Sequence, residues 1–300
     1  MGGRIVAVAI VVAGALFLAG CQPAVDISRA GVEAARELPP APPDRPLLPV
    51  DARGQPIRPS AEVGAQVFSR ARCDVCHGPQ GRGDGPAAAG LRAEQKTLLH
   101  DLARLVGIRL QPERLPSRPA NFRNVVAMRL NSPFSMYETV TRGRPHTAMP
   151  AFGPRPAYGA TSFGVRLTDA ERWHVIFFEW AFATTPEEVA RGRELYETRA
   201  IEVGGRALTC ASCHGVRGDG RGPEGVRLSQ RLWTWARGQG PGIFTDFNLM
   251  AQRKPSDLFQ AVVDGRGEMP AYRGKLTEDE IWALVNYIYT FVYDYPGLRR

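Results

Sequence analysis

The chain has 300 residues, of which 44% are hydrophobic and 23% charged, and its formal net charge is +8. These values are ordinary for a globular protein and argue against wholesale disorder. The basic residues are mostly arginines, scattered without base-stacking motifs, so a nucleic-acid partner is not expected. A mildly basic surface instead suits docking to acidic faces of partner proteins.

The N-terminus predicts an export signal in residues 1–20. Arg4 precedes the apolar run Ile5–Gly20, whose length fits a signal-peptide core and is short for a bilayer-spanning helix. The run leads into Leu18-Ala19-Gly20-Cys21, which resembles the lipobox of bacterial lipoproteins, where cleavage precedes acylation of the cysteine. We therefore expect a lipid on Cys21 and a periplasmic, membrane-held protein, with Gln22 favouring the outer membrane. An uncleaved membrane anchor is the alternative.

Residues 21–60 predict a lipid-anchored linker. Eight prolines fall in the 24 residues from Glu37 to Ser60. Proline lacks an N–H donor, so this stretch forms neither a helix nor an interior strand. It is typical of a semi-extended spacer between a membrane and a folded body.

A motif with defined chemistry then occurs twice. The pattern CxxCH, which signals attachment of c-type haem, occurs as Cys73-Asp-Val-Cys76-His77 and as Cys210-Ala-Ser-Cys213-His214. In such a motif both thiols form thioether bonds to the haem and the adjacent histidine coordinates the iron. The sequence therefore predicts two covalently bound haem c groups, with His77 and His214 as iron ligands.

Two other uses of paired cysteines compete with haem attachment. Four cysteines in two CxxC pairs can bind zinc, but more than 130 residues separate the pairs, and zinc explains neither histidine nor the duplicated flanks. A thioredoxin-like redox pair needs a βαβ setting, which the sequence lacks.

The sixth iron ligand is predicted from a second repeat. The segments GRPHTAMPAF (Gly143–Phe152) and GRGEMPAY (Gly265–Tyr272) both carry Met-Pro-Ala followed by an aromatic residue. Proline after the methionine stiffens the loop and lowers the entropy lost when sulfur is presented to iron. We therefore predict Met149 and Met269 as ligands. His146 is an alternative in the first loop, and gap-filling core methionines are the alternative for both.

Each of these loops is followed by a predicted amphipathic helix. LTDAERWHVIFFEWAF starts at Leu167 and LTEDEIWALVNYIYTF at Leu276, and both open with a Thr-x-x-Glu capping box. A shorter helix is predicted before each CxxCH, with Gly64 and Gly192 four residues before an aromatic side chain. Glycine at these positions would let a second helix approach closely.

Helix, CxxCH, glycine-rich loop, Met-Pro loop and aromatic C-terminal helix together resemble class I cytochrome c, in tandem. The resemblance implies a mainly α fold of two cytochrome c-like domains, at 61–184 and 186–296, each wrapped around a covalent haem. It also implies that the carbonyls of Pro86 and Pro223, which close the glycine-rich loops, accept a hydrogen bond from Nδ1 of His77 and His214.

The first repeat is longer than the second. Residues Leu98–Pro119 and Gly153–Val165 are insertions in the first repeat, and Ile201–Thr209 is a longer lead into the second CxxCH. We expect these segments to form surface loops.

Three classes of function fit these features. The first is a tethered carrier that passes electrons between respiratory redox partners, because Met/His ligation raises the haem potential and fills the iron coordination sphere. The second is a fixed subunit of a membrane respiratory complex, with permanent partners. The third is a dihaem enzyme of the peroxidase type, which needs one open iron position. The expectation is electron transfer without catalysis.

Overall fold

The computed structural model describes residues 47–95, 98–111, 113–158, 160, 164–230 and 240–298. The predicted signal segment, Cys21 and most of the predicted linker lie outside these residues. Pro43–Arg300 forms one compact unit. In the part of the chain that the structure describes, no helix is long and apolar enough to cross a membrane.

The first domain is mainly helical and contains one small antiparallel hairpin. Its elements are α1 (Ala61–Arg70), α2 (Asp74–His77), β1 (Arg92–Gln95), α3 (Leu98–Leu105), β2 (Glu113–Pro116), α4 (Val125–Arg129), α5 (Pro133–Arg142) and α6 (Asp169–Ala181). Strands β1 and β2 pair from Arg92 opposite Pro116 to Gln95 opposite Glu113.

The second domain repeats this order with its hairpin moved ahead of the CxxCH helix. Its elements are α7 (Pro186–Thr198), β3 (Ile201–Val203), β4 (Arg206–Leu208), α8 (Cys210–His214), α9 (Pro223–Ser229), α10 (Phe247–Gln252), α11 (Pro255–Asp264) and α12 (Glu278–Tyr289). The prediction of a mainly α fold that repeats one order of elements twice is therefore confirmed.

Two of the three segments expected as surface loops contain regular structure instead. Leu98–Pro119 contains α3 and β2, and Ile201–Thr209 forms the β3–β4 hairpin. Strand β2 pairs with β1, which lies just before the first segment, and β3 pairs with β4 inside the second. This pairing satisfies backbone groups that a loop would leave to water. The described part of Gly153–Val165 is irregular, as expected.

Local capping sets the starts of α6 and α12. The Thr168 hydroxyl accepts from the Glu171 N–H at 3.3 Å, and the Glu171 carboxylate accepts from the Thr168 N–H at 2.8 Å. Thr277 and Glu280 repeat the arrangement at 3.2 and 3.0 Å. Both predicted capping boxes are confirmed, because each depends on groups only three residues apart.

The first and last helices of each domain cross at a glycine. A Cβ atom built on Gly64 would lie 2.0 Å from the carbonyl oxygen of His174, in α6. A Cβ atom built on Gly192 would lie 2.0 Å from the carbonyl oxygen of Ala283, in α12. The two helix backbones are therefore too close for a side chain at either glycine. This confirms the predicted close approach.

Aromatic rings on α6 join the two domains. Trp173 meets Phe247 edge-on at 4.8 Å, and Phe177 stacks on Tyr293 at 4.5 Å between ring centroids. Across the same boundary, the Arg129 guanidinium lies 3.8 Å from the centroid of the Trp282 ring. We call these six residues the interdomain seam. Because they are close-packed, the seam resists hinge motion between the domains.

Candidate functional site

Each CxxCH motif forms a single helical turn that ends at a glycine. The N–H of His77 donates to the Cys73 carbonyl at 2.8 Å, and Gly78 ends the turn with φ +76°. In the second motif Gly215 takes φ +78°, and the Thr209 hydroxyl caps the start. A spacing of three residues puts both thiols of a motif on one face of its turn. The local sequence alone therefore produces this geometry.

The four thiols are half-buried and none forms a disulfide. Burial raises the pKa of Cys210 to about 11, and it also raises the pKa of Cys73, to which the nearby carboxylates of Glu179 and Asp74 contribute. The thiols are therefore protonated at neutral pH, unlike the thiolate of a redox CxxC pair. Among the described residues, no three His, Cys, Asp or Glu side chains form a metal-binding group, so the cluster that zinc requires is not assembled.

Both histidines are oriented by a carbonyl oxygen that lies far along the chain. Nδ1 of His77 lies 3.1 Å from the Ala120 oxygen, and Nδ1 of His214 lies 3.1 Å from the Gly242 oxygen. Since a carbonyl only accepts, Nδ1 carries the proton and Nε2 has a lone pair for a metal. Burial lowers the pKa of both imidazoles, which keeps them neutral.

The predicted acceptors, Pro86 and Pro223, are wrong. Pro223 is the first residue of α9, where a carbonyl is directed into the helix. On either side of Pro86, the N–H groups of Gly85 and Ala87 bond to the carbonyls of Cys76 and Val75. The residues after the glycine-rich loop are thus held against the CxxCH turn, and a later segment supplies the acceptor.

That later segment carries a repeat that the sequence analysis missed. PANFRN (Pro119–Asn124) and PGIFTD (Pro241–Asp246) share Pro-x-x-Phe-x-Asn/Asp. Phe122 stacks on His77 with centroids 4.7 Å apart, and Phe244 stacks on His214 at 4.6 Å. Alignment of the two halves of the chain would have shown this repeat.

Backbone hydrogen bonds and helix caps fix the position of each segment. The N–H of Phe122 donates to the Gly81 carbonyl, and that of Phe244 to the Gly218 carbonyl, both at 2.7 Å. The last residue of each repeat caps the next helix: Asn124 accepts from Ala127 of α4, and Asp246 accepts from Leu249 of α10.

The two Met-Pro loops begin and close in the same way. Each leaves its helix at a glycine with positive φ, +70° at Gly143 and +71° at Gly265. The carbonyl of Met149 accepts from the Arg144 N–H at 3.1 Å, and that of Met269 accepts from the Arg266 N–H at 3.0 Å. Both methionines are half-buried and pack against the core. Their ligation of iron stays a prediction.

The first loop has two more residues than the second between its glycine and its methionine. One of its residues, His146, takes a left-handed backbone conformation with φ +60°. Its assignment as an alternative ligand to Met149 stays open. By contrast, Met128 and Met250 are buried in the hydrophobic core.

In the second domain, an aromatic side chain of the Met-Pro loop lies next to the CxxCH turn. Tyr272, three residues after Met269, lies beside the Cys210 thiol, and its hydroxyl lowers the pKa of that thiol against the larger effect of burial. The structure therefore brings the predicted ligand loop to the predicted haem-attachment cysteine. Phe152 occupies the equivalent place in the first domain and lacks the hydroxyl.

A buried carboxyl marks the first domain. Glu179 of α6 lies among core residues, and burial raises its pKa to about 8. Its counterpart in α12 is Ile288. The sequence analysis missed Glu179. The helical period predicts that this position is buried, but it gives no reason for a carboxyl group there.

The donor set fits covalent haem in both domains. Each offers two unpaired thiols on one face of a turn and a neutral imidazole with Nδ1 fixed. Cys73, Cys76 and His77 would hold one haem, and Cys210, Cys213 and His214 the other. Thioether attachment of haem requires cysteine thiols, and both motifs supply two of them.

Comparison with known proteins assigns both domains to related families. Residues 61–178 match the family model described as "Cytochrome c". Residues 187–288 match the one described as "Cytochrome C oxidase, cbb3-type, subunit III". Cytochrome c-551 of Halorhodospira halochloris is 31% identical over 97 residues, which cover 32% of this chain and 92% of that protein.

A solved structure, from the reducing HAO-like protein complex of Kuenenia stuttgartiensis, is 21% identical. The match covers 79% of this chain and 99% of that one, with a TM-score of 0.28. A likeness at this TM-score carries no argument about the present chain.

Proposed function

Because the chain belongs to the cytochrome c family, we propose that it is a membrane-tethered dihaem electron-transfer protein of the periplasm, working between respiratory redox partners. Electron transfer, with covalently bound haem c, is what cytochrome c domains imply. When bound, haem c supplies a one-electron iron couple. We propose, in addition, that the chain holds two haems, that it is tethered to a membrane and that its partners are respiratory redox proteins.

One observation carries the proposal of two haems: the histidine environment is built twice with the same geometry. A 3.1 Å contact from Nδ1 to a carbonyl oxygen and a stacked phenylalanine recur in both domains. Carbonyl and ring together fix the rotation of the imidazole, and the hydrogen bond raises the basicity of Nε2. Each domain is therefore equipped to hold an iron ligand in one orientation.

The Met-Pro loops support a carrier over an enzyme. Each loop leaves its helix at a glycine with positive φ and closes with a hydrogen bond from an arginine N–H to the carbonyl of its methionine, Met149 or Met269. If Met149 and Met269 each bound an iron together with the histidine of their domain, no position would remain for substrate. A dihaem peroxidase would need one domain to abandon this arrangement.

The interdomain seam supports internal electron transfer as the working mode. Trp173 and Phe177 pack on Phe247 and Tyr293, and Arg58 reinforces the contact by donating to the carbonyls of Thr290, Phe291 and Tyr293. Close packing holds the two histidine sites in a fixed relation, so their separation does not depend on domain diffusion.

Membrane tethering is proposed from the sequence. Acylation of Cys21 and the proline-rich linker would place the folded body near a bilayer while leaving it free to reach partners. Gln22, which follows Cys21, favours the outer membrane over the inner.

A fixed subunit of a membrane respiratory complex is the second candidate. The observation that favours it is the description of the family model at residues 187–288, which names a subunit of an oxidase. Purification of the full chain from native membranes in mild detergent separates the two candidates. A free carrier elutes alone, whereas a subunit elutes with a stoichiometric complex.

The proposed function is tested by an optical redox titration of the haem-loaded chain, with carbon monoxide added to the reduced form. Two high-potential haems that both refuse carbon monoxide are expected for Met149 and Met269 as ligands. A single haem per chain would contradict the dihaem assignment. One haem that binds carbon monoxide readily would contradict the carrier assignment and favour His146 or an open site in the first domain.

A further inference from the structure

Aliphatic side chains stand exposed on the segment that the first domain inserts between its two predicted iron ligands. They lie on α3 and on the stretch that follows it, and their exposed fractions range from 41 to 82%. The residues are Leu99, Leu102, Leu105, Val106, Ile108 and Leu110. We call this set the aliphatic surface. So many neighbouring exposed aliphatic groups mark a surface that binds something.

The aliphatic surface is held on a fixed base. The β1–β2 hairpin encloses the segment, and the Ser117 N–H donates to the Leu91 carbonyl at 3.1 Å beside the hairpin. Ala103 of α3 is buried. Leu99, Leu102 and Val106 are spaced three and four residues apart, so they are neighbours along α3 and the turn that follows it, and all three are exposed.

The charge of the segment favours an anionic partner. Residues 91–118 contain six Lys or Arg against three Asp or Glu, a net charge of +3. Arg104 and Arg109 lie among the aliphatic residues and are exposed. Long arginine side chains can keep the guanidinium in a polar layer while the neighbouring aliphatic groups enter an apolar one.

The composition favours lipid over protein. Cores of protein interfaces are enriched in aromatic residues and methionine, and the aliphatic surface has neither. Aliphatic groups flanked by basic residues are typical of segments that lie in the headgroup region of a bilayer. We propose that the aliphatic surface docks into the interface of a bilayer containing anionic phospholipid and orients the first domain on it.

This inference rests on the proposed membrane location, and the tether makes it feasible. A helix of eight residues binds a bilayer weakly by itself. A lipid anchor joined by a linker holds the surface at high effective concentration beside the membrane, so a weak contact is populated. Docking fixes an orientation that the linker alone would leave free.

The test uses the full haem-loaded chain with nanodiscs of phosphatidylcholine alone and nanodiscs that include phosphatidylglycerol. Two quantities are measured. One is the fraction of the protein that is recovered bound to the discs, and the other is the hydrogen–deuterium exchange of residues 98–111. We expect recovery with both discs, and exchange slowed about tenfold in the anionic discs only, with the difference lost in about 0.5 M salt. If the protein is recovered with both kinds of disc but exchange is equal in both, the docking proposal would be wrong, whereas the tether proposal would still hold.

The remaining outcomes also separate the two proposals. Recovery with anionic discs alone would contradict the tether and support docking, and no recovery would overturn both. Leu102→Asp combined with Leu105→Asp should abolish the protection, since both positions are exposed and the change spares the core. Val216→Asp, at an exposed aliphatic residue of the second domain, is the matched control. Unchanged exchange in anionic discs, with cross-links from residues 98–111 to a protein in native membranes, would assign the surface to a protein partner instead.

Discussion

Gly192 of α7 lies so close to the backbone of α12 that a Cβ atom would sit 2.0 Å from the carbonyl oxygen of Ala283. Gly64 and the carbonyl oxygen of His174 repeat the relationship in the first domain at the same distance. In both places the atom in the way belongs to a backbone, which cannot rotate aside. The crossing therefore depends on the absence of a side chain.

Substitution Gly192→Ala is expected to lower the free energy of unfolding by about 3 kcal/mol, because the helices must separate and their packing loosens. Gly64→Ala should cost a similar amount. Denaturant unfolding of the haem-loaded chain measures both. Gly90→Ala is the control, since nothing lies within 4 Å of a Cβ there. Equal effects of the Gly90 and Gly192 variants would contradict the close-approach argument.

Removal of either predicted methionine ligand should open one iron position. Met149→Ala or Met269→Ala should let one of two haems bind carbon monoxide and lower its potential by about 0.1–0.3 V, within the roughly 0.8 V that axial ligands span. Met128→Leu and Met250→Leu are the controls, because both methionines are buried packing residues. If Met149→Ala leaves both potentials unchanged, Met149 is not a ligand and His146 becomes the candidate.

The buried carboxyl of Glu179 should make stability depend on pH. Its pKa is raised from 4.5 to about 8 in the folded state, so between these values the folded chain binds the proton and the unfolded chain has lost it. Stability should therefore fall with rising pH, by about 1 kcal/mol per pH unit, and level off above the folded pKa.

Glu179→Gln should remove this slope, because the amide does not titrate. Unfolding free energies measured from about pH 4.5 to 8.5 check the change in slope. Glu202→Gln, at an exposed position, controls for the loss of one negative charge. A slope that survives in Glu179→Gln would assign the pH dependence to other groups.

The contact of Arg129 with Trp282 should couple the two domains. A guanidinium 3.8 Å from the ring centroid predicts a coupling energy of about 1 kcal/mol in a double-mutant cycle of Arg129→Met and Trp282→Leu. The exposed Arg53, changed to Met with the same Trp282 variant, is the control pair and should be additive within about 0.5 kcal/mol. Additivity of the Arg129 cycle would show that this contact contributes nothing to the seam.

The sequence was sufficient wherever the interacting groups are near neighbours. The CxxCH turns, the boxes at Thr168 and Thr277 and the helices that follow depend on groups within one or two helical turns, so residue types and spacing specify them. Duplication strengthened each assignment, because every motif could be checked against its counterpart in the other half.

Only the tertiary structure decided which carbonyl oxygen orients each histidine. Ala120 and Gly242 supply a backbone atom, which every residue has, 43 and 28 residues after their histidines. No residue type marks such an acceptor, and its position depends on how the intervening chain folds. The interdomain seam and the buried position of Glu179 share this dependence, because packing between distant segments, rather than local spacing, brings those side chains together.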